Sequence, residues 1–246
     1  ALVAIENAPE GKRGWYGTFP QLGAPLGLLL ANGAFLLITD ILGSAAMTDW
    51  AWRIPFLSSS ILVVIGLYVR LKLAEAPIFV TDLDKPQPKT LPMVEVIITH
   101  FKPFFLGMLI CIAGYVLFYI IIAFSQIYAK SAPSQSEAGY AMGLGFSPQI
   151  FTALLMYSAV SLAISITISG KCIDKIGRRI WLIWTTVAVA IFGLALPYFL
   201  ENGTTVSLFW FLIIGMGLIG MGYGPLSSFL PELFPTHVRY TGASLT

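Results

Sequence analysis

Charged residues are scarce in this sequence. Only 11% of its 246 residues are Asp, Glu, Lys or Arg, whereas 57% are hydrophobic. Several uninterrupted apolar stretches of about 20 residues expose more apolar surface than a water-soluble core of this length could bury. The sequence therefore predicts an all-α, polytopic membrane protein in a lipid bilayer. Because the net charge is only +2 and the cations lie in loops, nucleic acid is not predicted as a partner.

Cysteine and histidine are equally rare, with two of each. Cys111 lies inside an apolar run and Cys172 in a charged loop, so their thiols should lie at different membrane depths and no disulfide is expected. His100 and His237 have no ligand-like spacing to other His, Cys, Asp or Glu residues. Neither a metal site nor a cofactor is predicted.

Two functional signatures are missing as well. The sequence has no phosphate-binding GxxxxGK[ST] loop, which argues against ATP-driven pumping. An intramembrane enzyme would need paired ionisable residues at one depth within the spans. The best candidate pair is Asp40 and Arg53, which flank a short turn near the outer ends of their helices. A structural ion pair is expected there, and enzymatic activity is not predicted.

Six apolar spans are predicted, at about 17–41, 52–71, 103–128, 148–169, 180–200 and 206–230. A turn around residues 43–50 should join the first two spans. Residues 72–102 hold several prolines and acidic residues and no run long enough to span a membrane. They are predicted to be a linker between two helical bundles, residues 1–71 and 103–246.

Lysine and arginine segregate strongly across these six spans. One side of the membrane receives 12 of the 14, and the other receives only Arg53 and Lys130. The side rich in lysine and arginine should be cytoplasmic. That side includes the loop 170–179, GKCIDKIGRR, with four cations and one carboxylate.

An internal repeat is also visible. The pattern E-x-x-P-x-x-x-R begins at Glu6 and recurs at Glu232, 226 residues later. Six spans separate the two copies, so both face the same side, and the repeat would be parallel with six helices per unit. The alternative is a coincidence among common residues.

The loop 170–179 resembles the G-x-x-x-D-r-x-G-R-[RK] signature of the major facilitator superfamily. The signature occurs in both halves of that fold, and the resemblance is to the copy in the second half, between helices eight and nine. The stretches ENAP, RGWYG, WRIPF, EAPIF and PELFPTHVRYTGASL resemble the metabolite:proton symporter family, which includes shikimate, 2-oxoglutarate and proline/betaine carriers. The resemblance covers the whole chain. It implies a fragment that runs from the end of helix four to the start of helix eleven of a twelve-helix fold, and a start at Ala1 rather than Met agrees with a fragment.

The resemblance implies a secondary active transporter of the bacterial inner membrane. Such a protein would carry a small polar organic solute together with protons, as a monomer, by rocking two six-helix bundles in alternating access. Residues 1–71 would end the first bundle, 72–102 would be the cytoplasmic central linker, and 103–246 would form helices seven to ten and the start of eleven. The alternatives are a passive facilitator or channel, or a membrane fragment that does not transport.

The charged loop has a physical interpretation of its own. Gly170 has no Cβ, so the helix end can approach a neighbour closely. Asp174 could then lie against the positive N-terminus of an adjacent helix, which the pseudo-symmetry of the resembling fold places near residues 14–17. This predicts a latch that holds the cytoplasmic side shut, and the alternative is that the cations only set topology. The predicted latch residues are Gly170, Asp174, Gly177, Arg178 and Arg179.

Five polar side chains within the spans are candidates for the substrate path: Gln21, Asn32, Tyr115, Tyr119 and Gln126. Polar groups that face lipid are costly, so these side chains should point inward, and aromatic walls with hydroxyl groups suit a polar organic solute. Two alternatives are open. The amides could form hydrogen bonds that only hold helices together, and the tyrosines could serve packing.

The last complete span is rich in glycine. Gly220, Gly224 and Pro225 weaken a helix, so they predict a bend that gates the transport path. Close helix packing is the alternative explanation for the glycines.

Overall fold

The computed structural model describes residues 4–5, 7–72, 92–132, 134–135, 141–201 and 203–246. The helices in chain order are α1 (Arg13–Gln21), α2 (Gly23–Ala46), α3 (Arg53–Lys72), α4 (Pro92–Thr99), α5 (Phe101–Tyr119), α6 (Ser125–Lys130), α7 (Pro148–Ile176), α8 (Arg178–Glu201), α9 (Thr205–Glu232) and α10 (Arg239–Leu245). π-Helical turns at Met47–Ala51 and Ile120–Phe124 and a 3-10 turn at Thr236–Val238 complete the helical structure. A small antiparallel ribbon pairs β1 (Ser134–Gln135) with β2 (Ala141–Met142).

In the described part of the chain, six helical segments are long and apolar enough to cross a membrane. They are Arg13–Ala51, Arg53–Lys72, Phe101–Lys130, Pro148–Ile176, Arg178–Glu201 and Thr205–Glu232. These segments match the six predicted spans and confirm a polytopic, almost entirely helical protein. Most segments are longer than predicted because the chain stays helical past the apolar residues that the bilayer core requires.

The turn predicted at residues 43–50 is wrong in extent. Gly43 alone leaves the helical region, with φ 82° and ψ 160°, a conformation that residues with a Cβ rarely adopt. The residues after it return to helix, and Ala51 is fully buried. The helical interruption is therefore one glycine wide.

The ion pair predicted between Asp40 and Arg53 is not present in the structure. Arg53 instead interacts within its own turn: its Nη1 donates to the carbonyl oxygen of Asp49 at 3.4 Å, and its guanidinium lies 4.7 Å from the ring centre of Trp52. The helix that resumes after Gly43 accounts for this difference, because it places the carbonyl oxygen of Asp49 one turn before Arg53.

The core lies between α7 and α9. In the half of the core farther from the predicted cytoplasmic side, both helices contribute large apolar side chains, among them Phe151, Leu155, Leu162, Leu208, Phe211, Leu212 and Met216. Nearer the predicted cytoplasmic side, small residues replace them and the backbones approach each other. A Cβ on Gly220 would lie 2.8 Å from the carbonyl oxygen of Leu162, and one on Gly224 would lie 3.2 Å from that of Ile166. Small residues that permit such approach are typical of membrane helix interfaces.

The first two spans differ in how they pack. Helices α1 and α2 contact α7, and α1 also contacts α9. Helix α3 contributes no buried residue. Its Phe56 contacts the ring of Phe35 on α2 edge to face.

The predicted linker 72–102 contains a helix that the sequence analysis did not predict. Val96 of α4 is fully buried against Phe234 and Val238, which follow α9. The Nε2 of His237 and the Oε1 of Glu95 lie 2.7 Å apart. The end of the linker is therefore docked on the segment between α9 and α10, whereas residues 73–91 lie outside the described residues.

The two copies of the predicted repeat share local structure. Arg13 is the first residue of α1, and Arg239 is the first residue of α10. Both helices thus begin at the arginine of the pattern, as a repeat predicts. Glu6, the first residue of the first copy, lies outside the described residues.

Candidate functional site

Asp174 lies in the last turn of α7 and contacts the beginning of α1. Its Oδ1 accepts a hydrogen bond from the backbone N–H of Gly14, and its Oδ2 accepts one from the N–H of Trp15, both at 2.9 Å. The first N–H groups of a helix have no carbonyl partner within it, and Lys12, the residue at the N-cap, supplies no side-chain hydrogen bond. A carboxylate 160 residues away therefore caps α1, and the helix dipole adds to the attraction.

Two glycines allow this capping. A Cβ on Gly14 would lie 2.6 Å from Oδ1 of Asp174 and 3.0 Å from the carbonyl oxygen of Gly170. A Cβ on Gly170 would lie 3.2 Å from the Cα of Trp15 and would overlap the methyl group of Thr18. Since contacts this close leave no room for a side chain, α1 and α7 can cross at this distance only with glycine at both positions.

Gly177 separates α7 from α8. Its φ of 91° and ψ of 146° end α7, and its N–H donates to the carbonyl oxygen of Ile173 at 3.0 Å. A positive φ of this size favours glycine over residues with a side chain. Arg178, the next residue, forms an ion pair with Glu232 at the end of α9. The short turn thus connects the ends of α7, α8 and α9.

The structure brings four of the five predicted latch residues into one site. Gly170, Asp174, Gly177 and Arg178 meet where α1, α7, α8 and α9 converge. Arg179 lies exposed at the start of α8. The contact predicted between Asp174 and the start of a helix near residues 14–17 is present in the structure. A latch function for that contact is a proposal, taken up below.

A second contact lies deeper along α1. The hydroxyl of Ser227 donates to the carbonyl oxygen of Gly17 at 2.7 Å, and Nε2 of Gln21 donates to the carbonyl oxygen of Tyr223 at 3.4 Å. Both bonds join α1 to α9. Ser227 could not be singled out from the sequence, because nothing local distinguishes its hydroxyl from that of Ser228, which bonds within α9 to the carbonyl oxygen of Pro225.

The candidate residues for the substrate path are placed as follows. Gln21 makes the interhelical bond just described, and Nδ2 of Asn32 donates within α2 to the carbonyl oxygen of Leu28 at 2.8 Å. Tyr115 and Tyr119 on α5 are 58% and 63% exposed. Gln126 is half-buried on α6.

No hydrogen bond joins any two of these five side chains, all of which the structure describes. Gln21 makes the kind of bond that holds helices together, which was one of the two interpretations open for it. A role for the five in substrate binding stays a prediction.

The predicted gating residues lie in a continuous helix. Helix α9 runs unbroken from Thr205 to Glu232, and Gly220 and Gly224 lie at its closest approach to α7. This arrangement matches the packing alternative for the two glycines. Pro225 interrupts the backbone hydrogen bonding of α9 without ending the helix, and a bend during transport stays a prediction.

Residues 3–246 match the family model described as Major Facilitator Superfamily. The chain belongs to this superfamily. The match covers almost the whole chain, and it confirms the family that the loop 170–179 suggested.

Relatives within the superfamily are named for transport. The chain is 85% identical to a Haemophilus influenzae protein named for metabolite transport, over all of this chain and 55% of that protein. It is 39% identical to the inner membrane metabolite transport protein YhjE of Escherichia coli, over all of this chain and 54% of YhjE. The Escherichia coli proline/betaine transporter is 28% identical, over 98% of this chain and 48% of that protein. No solved structure gives a significant match.

These comparisons have two consequences. The chain spans about half the length of the curated relatives it matches, as expected for part of the superfamily fold. Its six apolar segments, its family and its similarity to an inner membrane protein identify it as a multi-pass protein of the inner membrane. The relatives are transport proteins by name and not enzymes, in agreement with the sequence analysis.

Proposed function

We propose that this chain is part of a proton-coupled symporter that carries a small polar organic metabolite across the inner membrane by alternating access. The superfamily and the names of its relatives support transport of a metabolite. The relative named for proline and betaine transport points to a zwitterionic solute as one class to test. In this proposal residues 1–71 complete the first bundle, 72–102 form the cytoplasmic linker, and 103–246 begin the second bundle.

The observation that carries the proposal is the capping of α1 by Asp174. Helix α1 belongs to the first proposed bundle, and α7 and α9 belong to the second. Asp174, Ser227 and Gln21 therefore supply hydrogen bonds that cross from one bundle to the other. A rocking motion that opens the cytoplasmic side must break these bonds together.

The strength of the Asp174 contact suits a reversible latch. Hydrogen bonds to a charged group contribute about 1.5–3 kcal/mol each, and solvent exposure at Asp174 keeps the net value at the low end. When the contact breaks, water can solvate both the carboxylate and the freed N–H groups of α1. Asp174 would thus favour the closed cytoplasmic side by an amount that a solute and a proton could overcome.

Uptake by the full-length protein tests the transport proposal. Vesicles that contain it would be given organic acids, proline and betaine, with and without an imposed pH gradient. Accumulation that collapses when the gradient is removed supports symport. Equilibration at the same rate with or without the gradient would contradict symport and indicate a facilitator or channel, and no uptake of any solute in the panel would leave transport unsupported.

Neutral substitutions separate the latch from the topological alternative. Asp174→Asn should change transport kinetics while the loop 170–179 stays on the cytoplasmic side. Lys175→Gln is the matched control, since it removes a charge from the same loop and takes no part in the hydrogen bonds of Asp174 or the ion pair of Arg178. Unchanged transport kinetics in the asparagine variant would favour the topological alternative, because that alternative assigns the role of the loop to its cations.

A further inference from the structure

Pro225 leaves a gap in the hydrogen bonding of α9. Each residue of an α-helix donates its N–H to the carbonyl four residues earlier, and proline has no N–H to donate. The carbonyl oxygen of Met221 therefore has no helical donor. In a membrane an unpaired carbonyl is costly, because no water is present to bind it.

The side chain of Trp181 fills this gap from the neighbouring helix. Its Nε1 donates to the carbonyl oxygen of Met221 at 2.9 Å. The indole N–H is a donor only. It therefore supplies the hydrogen bond that a backbone N–H at position 225 would have donated to this carbonyl oxygen. One turn further along α8, the methyl group of Thr185 would lie 3.8 Å from a Cβ on Gly222, and the two helices are thus in contact along this stretch.

The gap lies between two sets of contacts that α9 makes with other helices. Gly220, just before it, and Gly224, within it, pack α9 closely against α7. After it, Ser227 binds Gly17, and Glu232 pairs with Arg178. The gap therefore lies between the part of α9 that packs in the core and the part that carries the Ser227 and Glu232 contacts. The stiffness of α9 at the gap determines how firmly the core positions the Ser227 and Glu232 contacts.

We propose that Trp181 is a positioning residue that clamps the proline gap of α9 through the carbonyl oxygen of Met221. With the clamp, the segment from Pro225 to Glu232 is held in line with the rest of the helix. Without it, that segment gains freedom to bend at Met221. The effect on transport rests on the proposed alternating access, whereas the clamp itself is a property of the helix pair and can be measured without any solute.

A double-mutant cycle with Trp181→Phe and Pro225→Ala tests the clamp in the full-length protein. Phenylalanine keeps an apolar ring and removes the N–H, and alanine at 225 restores the helical donor to Met221. The measurement is amide hydrogen exchange in peptides that cover residues 218–232. Trp181→Phe should speed exchange about three- to fivefold in the natural background, the effect of one hydrogen bond, and should have almost no effect beside Pro225→Ala.

Trp184→Phe is the matched control. It lies on the same helix and is 70% exposed, so its loss should leave exchange in α9 unchanged. Equal acceleration by Trp181→Phe in both backgrounds would overturn the proposal, since ring packing would then be the cause, and no acceleration in either would do the same. If Trp181→Phe alone cannot be recovered from membranes, its recovery together with Pro225→Ala supports the clamp and its loss in both overturns it.

Discussion

Ser227 and Gly17 meet so closely that the serine hydroxyl donates to the glycine carbonyl oxygen at 2.7 Å. A Cβ on Gly17 would come within 2.9 Å of the same hydroxyl oxygen. The bond and the lack of a side chain thus belong to one close approach of α9 and α1. Since Gly14 is held by Asp174 one turn earlier, α1 is fixed at two levels.

Removal of the Ser227 hydroxyl should weaken this contact modestly. Ser227→Ala should lower stability by about 0.6–1.7 kcal/mol, from the average to the maximum measured for interhelical hydrogen bonds in a membrane protein. Gly17→Ala should cost more, because the added methyl group displaces the hydroxyl and parts the helices. Thermal unfolding of the full-length protein in detergent measures both. Ser228→Ala is the control, since its hydroxyl bonds within α9, and an equal loss in that variant would contradict the prediction.

Loss of the Asp174 carboxylate should open the cytoplasmic end of α1. Asp174→Ala removes both acceptors from the N–H groups of Gly14 and Trp15, and Asp174→Asn keeps one oxygen without the charge. The alanine variant should therefore shift the balance further, by about 1.5 kcal/mol, the low end of the range for hydrogen bonds to a charged group. Labelling of Cys172 by a water-soluble maleimide, in a background that lacks every other cysteine, measures the opening as a faster rate. Labelling that is unchanged in both variants would refute the latch.

Glycines of α9 should differ sharply in their tolerance of alanine. A Cβ on Gly220 would lie 2.8 Å from a backbone carbonyl oxygen that cannot move aside, whereas one on Gly222 would meet only the methyl group of Thr185 at 3.8 Å. Gly220→Ala should thus destabilise the protein by about 1–3 kcal/mol. Gly222→Ala should be neutral or stabilising, since alanine favours helix. Melting temperatures of the two variants in one detergent decide the matter, and a similar loss in both would contradict the packing geometry.

The docked helix α4 offers a further prediction. Glu95→Ala or His237→Ala breaks the 2.7 Å contact between α4 and the segment after α9. The pair is partly exposed, with 46% of the histidine side chain open to solvent, so the loss should be at most about 1 kcal/mol. Amide exchange in residues 92–99 should rise while exchange in α7 stays constant. His100→Ala serves as control, and an equal rise there would show that the pair is not responsible.

The membrane-spanning architecture was predictable because it follows from composition. Long apolar runs and the distribution of lysine and arginine fix the number of spans without any knowledge of tertiary contacts. The capping of α1 by Asp174 was also within reach, since a glycine, a carboxylate and a helix start are local features that the resembling fold brings together.

The remainder depends on packing that sequence does not encode locally. Gln21 and Asn32 have the same chemistry whether they line a cavity or bond to a backbone carbonyl, and only the structure shows the bonds they form. Helix α4 has eight residues, and its apolar side chains gained significance only through contact with Phe234. The role of Trp181 could not be predicted from the sequence, because its partner is a carbonyl oxygen on another helix that lacks a helical donor only because of Pro225.

The seam of small residues between α7 and α9 also constrains how the protein is made. These two helices are separated in sequence by α8, and small residues such as Ser165 and Ser169 on α7 face glycines on α9. Contacts of this kind gain energy from close packing and not from the expulsion of water, so they can form after the helices are already in the bilayer. Because α7 precedes α9 in the chain, the serine face of α7 is exposed to lipid during synthesis until α9 has been inserted. The packing between α7 and α9 is completed only then.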